Sequence, residues 1–255
     1  MLIEGTWPQI HPGGVVSHWS ASVMHGLWVH RPRLDQVWIT RQGHTGGQIR
    51  HWVHMVHCPI EDWEMVEIDG IRCTSLARTA MDIARHDGFV AGVVAADHSM
   101  RLGVTRQELF DVIKRARRRP GNATARRVAA FADPRSESPK ESELRALMEQ
   151  LGLERGEPQY EICTPDGELV ARVDLALAEM MLVIEFDGEE KYHAVEGPGA
   201  LLEVLAQEKA REQAILAQGW WILRLRKEDL RRPKVLAAKI RQAMTVARRR
   251  LSEVD

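Results

Sequence analysis

The clearest pattern in the chain is a pair of apolar, β-branched runs, Arg172-Val173-Asp174-Leu175-Ala176-Leu177 and Leu182-Val183-Ile184-Glu185-Phe186-Asp187-Gly188, joined by Ala178-Glu179-Met180-Met181. Both read as strands, and the short join predicts a hairpin. Acids interrupt both runs where a core strand carries Val or Ile. Glu185 and Asp187 are two apart and share one face, leaving Ile184 and Phe186 on the other. If the runs pair, Asp174 falls near Glu185. Carboxylates converging on a half-buried sheet repel one another and lose hydration unless a cation sits between them. A divalent metal with oxygen ligands is the simplest such cation. The plainer reading is that these are acids on the solvent face of an edge hairpin.

Similar patterning divides the rest of the chain. Residues 1–13 hold Pro8, Pro12 and Gly13 and read as an irregular lead-in. Val15 to Leu27 reads as a helix with Trp19, Val23 and Leu27 on one stripe. Leu34 to Thr40 alternates as a strand, a Gly-rich turn follows around Gly43 to Gly47, and Ile49 to His57 reads as a second strand. Val66 to Cys73 predicts a hairpin turning at Asp69-Gly70. Thr74 or Ser75 caps a helix through Ala84, a second helix spans Gly88 to Met100, and Thr105-Arg106-Gln107-Glu108 is a capping box opening a third, through about Ala116. Ala132-Asp133-Pro134-Arg135 marks a boundary between domains 1–133 and 134–255. Beyond it, Ser138-Pro139-Lys140-Glu141 caps a helix that ends at Gly152, Gln159 to Thr164 is a strand, and the hairpin follows. The pattern closes with a helix over Leu201 to Gln218, a buried strand from Trp220 to Leu225, and a terminal helix with a basic end.

Composition narrows the classes. The 255 residues fit one large domain or two ordinary ones, and 44% apolar content supports a packed core. A formal charge of -1 gives no global attraction to nucleic acid, so any basic surface is local. Cys58, Cys73 and Cys163 are far apart and form no CxxC, which argues against a disulfide framework and fits a reducing cytoplasm. No run approaches the roughly 20 apolar residues of a membrane helix, and the first residues carry no secretory pattern.

Two further clusters invite chemistry. His51, His54 and His57 recur every three residues, but on a strand that spacing sends His54 away from the other two, so solvated or core-edge histidines are favoured over a metal site. Lys114-Arg115-Ala116-Arg117-Arg118-Arg119 with Arg126-Arg127 is a basic stretch without an acid. It reads equally as a solvated helix end or as a phosphate-contacting patch through Arg117, Arg118 and Arg119.

Two resemblances build on these residues. The run Cys73-Thr74-Ser75-Leu76-Ala77-Arg78-Thr79-Ala80-Met81-Asp82-Ile83-Ala84 resembles the C-terminal part of AbiEi-type antitoxin proteins, without the winged helix that precedes it there. The second half resembles the PD-(D/E)XK nuclease superfamily, in the branch around the Vsr endonuclease. That likeness covers about residues 136–231. Its order is helix, strand, hairpin, helix, strand, helix. It rests on Ser138-Pro139-Lys140-Glu141, Arg172-Val173-Asp174, Glu185-Phe186-Asp187-Gly188 with His193, Glu208-Lys209-Ala210-Arg211-Glu212, and Gly219-Trp220-Trp221-Ile222-Leu223-Arg224-Leu225.

The fold these imply is α/β: a restriction-endonuclease-like mixed sheet flanked by helices, preceded by a smaller α+β domain of AbiEi type. The nuclease resemblance implies a Mg²⁺- or Mn²⁺-dependent DNA endonuclease or nickase in DNA repair or defence. Asp174 and Glu185 match its metal-binding acids, and Glu141 matches a helix acid that reaches the ion through water. Asp187 stands where most of the superfamily has lysine, which leaves His193 or Lys191 to move protons or offset charge. Arg211 is placed to pin a phosphate or to pair with one of the acids, and Lys191 to contact nucleic acid. Glu141 and His193 also have structural readings, as a helix cap and as a loop anchor. The alternative is a catalytically inert, antitoxin-like DNA-binding protein. DNA is the expected partner; a homodimer and a toxin–antitoxin partner are left open.

Overall fold

A computed structural model describes residues 2–10, 13–30, 35–43, 48–50, 52–116, 118–186 and 198–253. The chain is mixed α/β, with two mixed sheets flanked by helices. It divides into two compact units, Met1–Glu143 and Leu144–Asp255. The division falls inside a helix, later in the chain than the 133/134 boundary read from Ala132-Asp133-Pro134-Arg135.

The N-terminal unit opens with helix α1 (Leu2–Thr6), where the pattern suggests only an irregular lead-in. Strand β1 (Gly14–Val16) and helix α2 (His18–Met24) replace the single helix expected over 15–27. The reason is tertiary. Val15 and Val16 are β-branched and fully enclosed, and β1 lies centrally, antiparallel to β2 (Val37–Arg41) and parallel to β6 (Ile71–Thr74). The strand expected over 49–57 is two, β3 (Gln48–Arg50) and β4 (Val53–His57), paired antiparallel. Strand β5 (Met65–Ile68) completes the sheet, in the order β3-β4-β2-β1-β6-β5. Asp69 and Gly70 both take positive φ, 52° and 75°, as a tight two-residue hairpin requires.

Helices α3 (Leu76–Asp87), α4 (Phe89–Arg101), α5 (Arg106–Arg115) and α6 (Asn122–Phe131) follow. Ser75 Oγ accepts from the Arg78 backbone N–H, and Thr105 with Glu108 forms the expected capping box. The helices α3 and α4 pack closely at Gly92. Helix α7 (Pro139–Gln150) crosses from one unit to the next.

In the C-terminal unit, β7 (Glu157–Cys163), β8 (Leu169–Leu177) and β9 (Leu182–Phe186) form an antiparallel meander. Helix α8 (Pro198–Ala217) then leads to β10 (Trp221–Leu225), which lies parallel to β9, giving the order β10-β9-β8-β7. Helices α9 (Lys227–Leu230) and α10 (Pro233–Ser252) end the chain. Ile162, Val173, Ala176, Val183, Ile215 and Trp220 form the apolar cluster that fixes this sheet beneath α8.

Candidate functional site

The register of the central hairpin sets the site. Leu175 pairs with Ile184 and Ala176 with Val183. The paired residues end there; continued by one step, the same antiparallel register would set Asp174 opposite Glu185, on the face they would share. Asp174 Oδ2 lies 3.4 Å from the Phe186 backbone nitrogen, so its carboxylate is beside the Glu185–Phe186 peptide. Asp174 is half-buried and Glu185 is only 8% exposed.

A cation meets these acids, and it is a side chain. Arg211, on α8, donates through Nη2 to Glu185 Oε1 at 2.5 Å and through Nη1 to Oε2 at 3.3 Å. The same Nη2 donates to the Arg172 carbonyl at 2.9 Å, which anchors the guanidinium against β8. One turn on, Ile215 belongs to the apolar cluster with Ala176 and Val183, so Arg211 is aimed down at the strands by the packing of its own helix. The hydrogen bond to Glu185, and then the charges of Glu185, Asp174 and Glu208, raise the Arg211 pKa against the opposing effect of burial. On the other side of Glu185, Arg224 aligns with it across β10 and donates to Glu212 of α8 at 2.9 Å. Two ion pairs therefore join α8 to the sheet beyond the apolar cluster. Sequence reading placed Arg211 near the acids; the Arg224–Glu212 pair, between separate elements, left no signal in the local pattern.

Glu141 is engaged at the start of its own helix. Its Oε2 accepts from the Glu137 backbone N–H at 2.8 Å and its Oε1 from the Ser138 hydroxyl at 2.7 Å, while Ser138 Oγ accepts from the Glu141 N–H. This is the capping arrangement anticipated from Ser138-Pro139-Lys140-Glu141. Asp187, Lys191, His193 and Arg117 lie outside the described residues. Among the described residues, no group of three or more His, Cys, Asp or Glu side chains is arranged to hold a metal ion. What remains is the two-carboxylate pair, with hard oxygen donors. That donor set suits Mg²⁺, which is commonly held by one or two carboxylates and completed by water and substrate phosphate.

The basic stretch of the N-terminal unit divides in use. Arg119 Nη1 donates to Asp82 Oδ1 at 2.6 Å, which makes it a structural group; Arg118 is exposed. Asp82 is fully buried and also receives Arg78 Nε at 2.9 Å and Arg85 Nη1 at 2.8 Å. Burial alone would raise its pKa, but Arg78 and Arg119 outweigh that and hold the carboxyl far below its usual range. Arg78 reaches Glu64 at 2.8 Å and the Cys58 sulfur at 3.1 Å. Arg115 pairs with Glu61 and lies over Trp63, and Arg127 lies over Phe89. The run from Cys73 to Ala84 thus contributes Arg78 and Asp82 to a buried ionic network.

Of the histidine triplet, His54 stacks on Trp38 with ring centroids 3.7 Å apart, and His51 lies outside the described residues. No described helix is long and apolar enough to cross a membrane.

No family model matches the chain. It is similar to two uncharacterized proteins of Mycobacterium tuberculosis, Rv2248 of strain ATCC 25618 / H37Rv and MT2308 of strain CDC 1551 / Oshkosh. Each is 34% identical over 183 residues, a span covering 71% of this chain and 65% of the relative. The chain thus spans just under two thirds of the length of the relatives it matches.

Proposed function

We propose that the C-terminal unit is a divalent-metal-dependent DNA endonuclease or nickase of PD-(D/E)XK type, acting in DNA repair or defence. The observation that supports this most is the approach of the Asp174 carboxylate to the Glu185–Phe186 peptide between β8 and β9, one acid half-buried and one buried, with a guanidinium on Glu185. Asp174 and Glu185 would hold Mg²⁺ or Mn²⁺. When bound, such an ion supplies an activated water and neutralises charge on the phosphoryl oxygens. Arg211 orients Glu185 and presents a fork that suits phosphate as well as carboxylate. The test is incubation of the full chain with supercoiled plasmid and with single-stranded DNA across Mg²⁺ and Mn²⁺ concentrations. Cleavage that requires the ion and disappears in a folded Asp174→Ala variant is expected; undiminished cutting by that variant, with contaminants excluded, refutes the assignment.

A second reading has its own support. Glu185 is already neutralised by Arg211 through both oxygens, as in a purely structural ion pair. This favours a nuclease-fold DNA-binding or regulatory protein without catalysis, and it predicts salt-sensitive DNA binding with no cleavage and no Mn²⁺ binding lost in Glu185→Ala.

A further inference from the structure

Although the chain as a whole carries a charge of -1, residues 224–250 hold eleven Lys and Arg against two acids. Several of these cations are spent internally: Arg224 on Glu212, Lys239 on Asp229, Arg248 on Glu154, and Arg250 over Trp221. Four are not. Lys227, Arg231, Arg232 and Lys234 are exposed, and none has an ion-pair or side-chain hydrogen-bond partner among the described residues. They fall within eight residues of one another: Lys227 opens α9, Arg231 and Arg232 join α9 to α10, and Lys234 lies in the first turn of α10.

Their position in the sheet is what gives them meaning. Strands β9 and β10 run parallel with Arg224 level with Glu185 and Leu225 level with Phe186. The chain leaves β10 at Leu225 and enters α9 at Lys227. The four cations therefore emerge at the same end of the sheet as Glu185, beyond the ends of both strands. At about 3.3 Å per residue, the start of α9 lies within a few residue lengths of the carboxylates.

We infer that Lys227, Arg231, Arg232 and Lys234 form the surface that takes the phosphate backbone of DNA and lays it across the carboxylate end of the C-terminal sheet. Unpaired, exposed cations of one sign hold counter-charge only when a polyanion arrives, and a repeating phosphate chain satisfies several together. Such contacts position a duplex without reading its sequence. This assigns the backbone contacts to the segment after β10 rather than to the basic stretch at 114–127, where Arg115, Arg119 and Arg127 are engaged internally. The inference rests on the nuclease reading for its partner, but it concerns binding and not cleavage.

The test is fluorescence anisotropy of a labelled 20-bp duplex with the full chain in EDTA, from about 50 to 200 mM NaCl. Each phosphate contact contributes about -0.9 to the slope of log K against log salt. Arg231→Gln with Arg232→Gln is expected to flatten that slope by about 2 and to weaken binding at 0.1 M salt by roughly tenfold to a hundredfold. Lys114→Gln with Arg126→Gln is expected to leave the slope unchanged. Anionic phospholipid vesicles provide the competing polyanionic surface. An unchanged slope in Arg231→Gln/Arg232→Gln overturns the inference, as does binding to vesicles with none to DNA. Either result leaves the plasmid-cleavage assay free to uphold or reject the nuclease reading on its own.

Discussion

Arg211→Gln removes the guanidinium that spans both oxygens of Glu185, and its consequence for metal binding follows from the geometry. Any divalent ion taking a Glu185 oxygen must displace or share a donor now at 2.5 Å and 3.3 Å. A hydrogen bond between charged groups contributes on the order of 1.5–3 kcal/mol when well buried. The Arg211 side chain is 37% exposed, so solvent screening moves the figure toward the lower end, about 1.5 kcal/mol for each of the two bonds at most. Losing one or both of them on metal entry therefore weakens the wild-type affinity by about tenfold to a hundredfold. Glutamine fills much of the same space, carries no charge, and leaves Glu185 beside Asp174 without a counter-ion.

The expected result by isothermal titration at neutral pH is Mn²⁺ binding about ten to a hundred times tighter in Arg211→Gln than in wild type. Without metal, the variant is expected to melt at a lower temperature than wild type, since a buried carboxylate has lost its partner, and Mn²⁺ is expected to recover the difference. Arg211→Lys, which keeps the charge but loses the two-pronged fork, falls between the two. Equal or weaker Mn²⁺ binding in Arg211→Gln, in a protein whose Asp174→Asn variant has lost binding, refutes the competition while leaving the metal site standing. No binding in any variant refutes the site itself.

Three predictions concern the N-terminal unit. Among the described residues, Asp82→Asn leaves Arg78, Arg85 and Arg119 with Glu64 as the one acid still paired in their network, and a loss of about 3–5 kcal/mol is expected in urea unfolding, with Arg119→Gln costing less because that side chain is 15% exposed. His18 is enclosed, and burial lowers its pKa to about 4. The unfolded chain then binds the extra proton first, so stability is expected to decline as pH falls from about 6.5 to about 4, before Asp82 begins to titrate below its ordinary 3.8; melting curves across that window should flatten in His18→Gln. Gly92→Ala would set a Cβ 2.6 Å from Ala84 Cβ and 2.8 Å from the Ala84 Cα, forcing α3 and α4 apart; a loss of about 1–3 kcal/mol in the same unfolding assay is expected.

The local rules were sufficient wherever the physics is local. The two-residue turn at Asp69-Gly70, the caps at Ser75, Thr105 and Ser138, and the pairing of the 172–177 and 182–186 runs all depend on neighbours a few positions away or on a strict period of two. Val15-Val16 shows where that ends. A short apolar run fits a helix stripe as well as a strand, and only pairing with β2 and β6, distant in sequence, decides it. The buried network shows the same division: Arg78 and Asp82 are four apart on one helix face, a spacing visible in the sequence, whereas Arg119 reaches Asp82 from beyond α5. An arginine in a basic run looks like surface until the buried acid it serves is located.

The central site turns on the same point. Converging carboxylates require positive charge, and sequence alone favours a metal because it is the most compact source of it. Arg211 supplies that charge from α8, so the acids are tolerable in the folded chain without an ion. The electrostatic cost that singled out Asp174 and Glu185 is thus evidence for a cation and not, by itself, for a catalyst. What favours a working site is that the cation in place is an arginine. A guanidinium forks onto phosphate as readily as onto carboxylate, so under the proposed nuclease function a DNA phosphate arriving beside Glu185 would compete for Arg211 and free the carboxylate oxygens. On the nuclease reading, metal affinity and DNA affinity are then coupled through one side chain, and by linkage each must strengthen the other by the same factor. Mn²⁺ titrations of Glu185-intact protein with and without a non-cleavable duplex measure that factor directly; a ratio of one, alongside unimpaired binding of both, would leave Arg211 as a strut between α8 and the sheet.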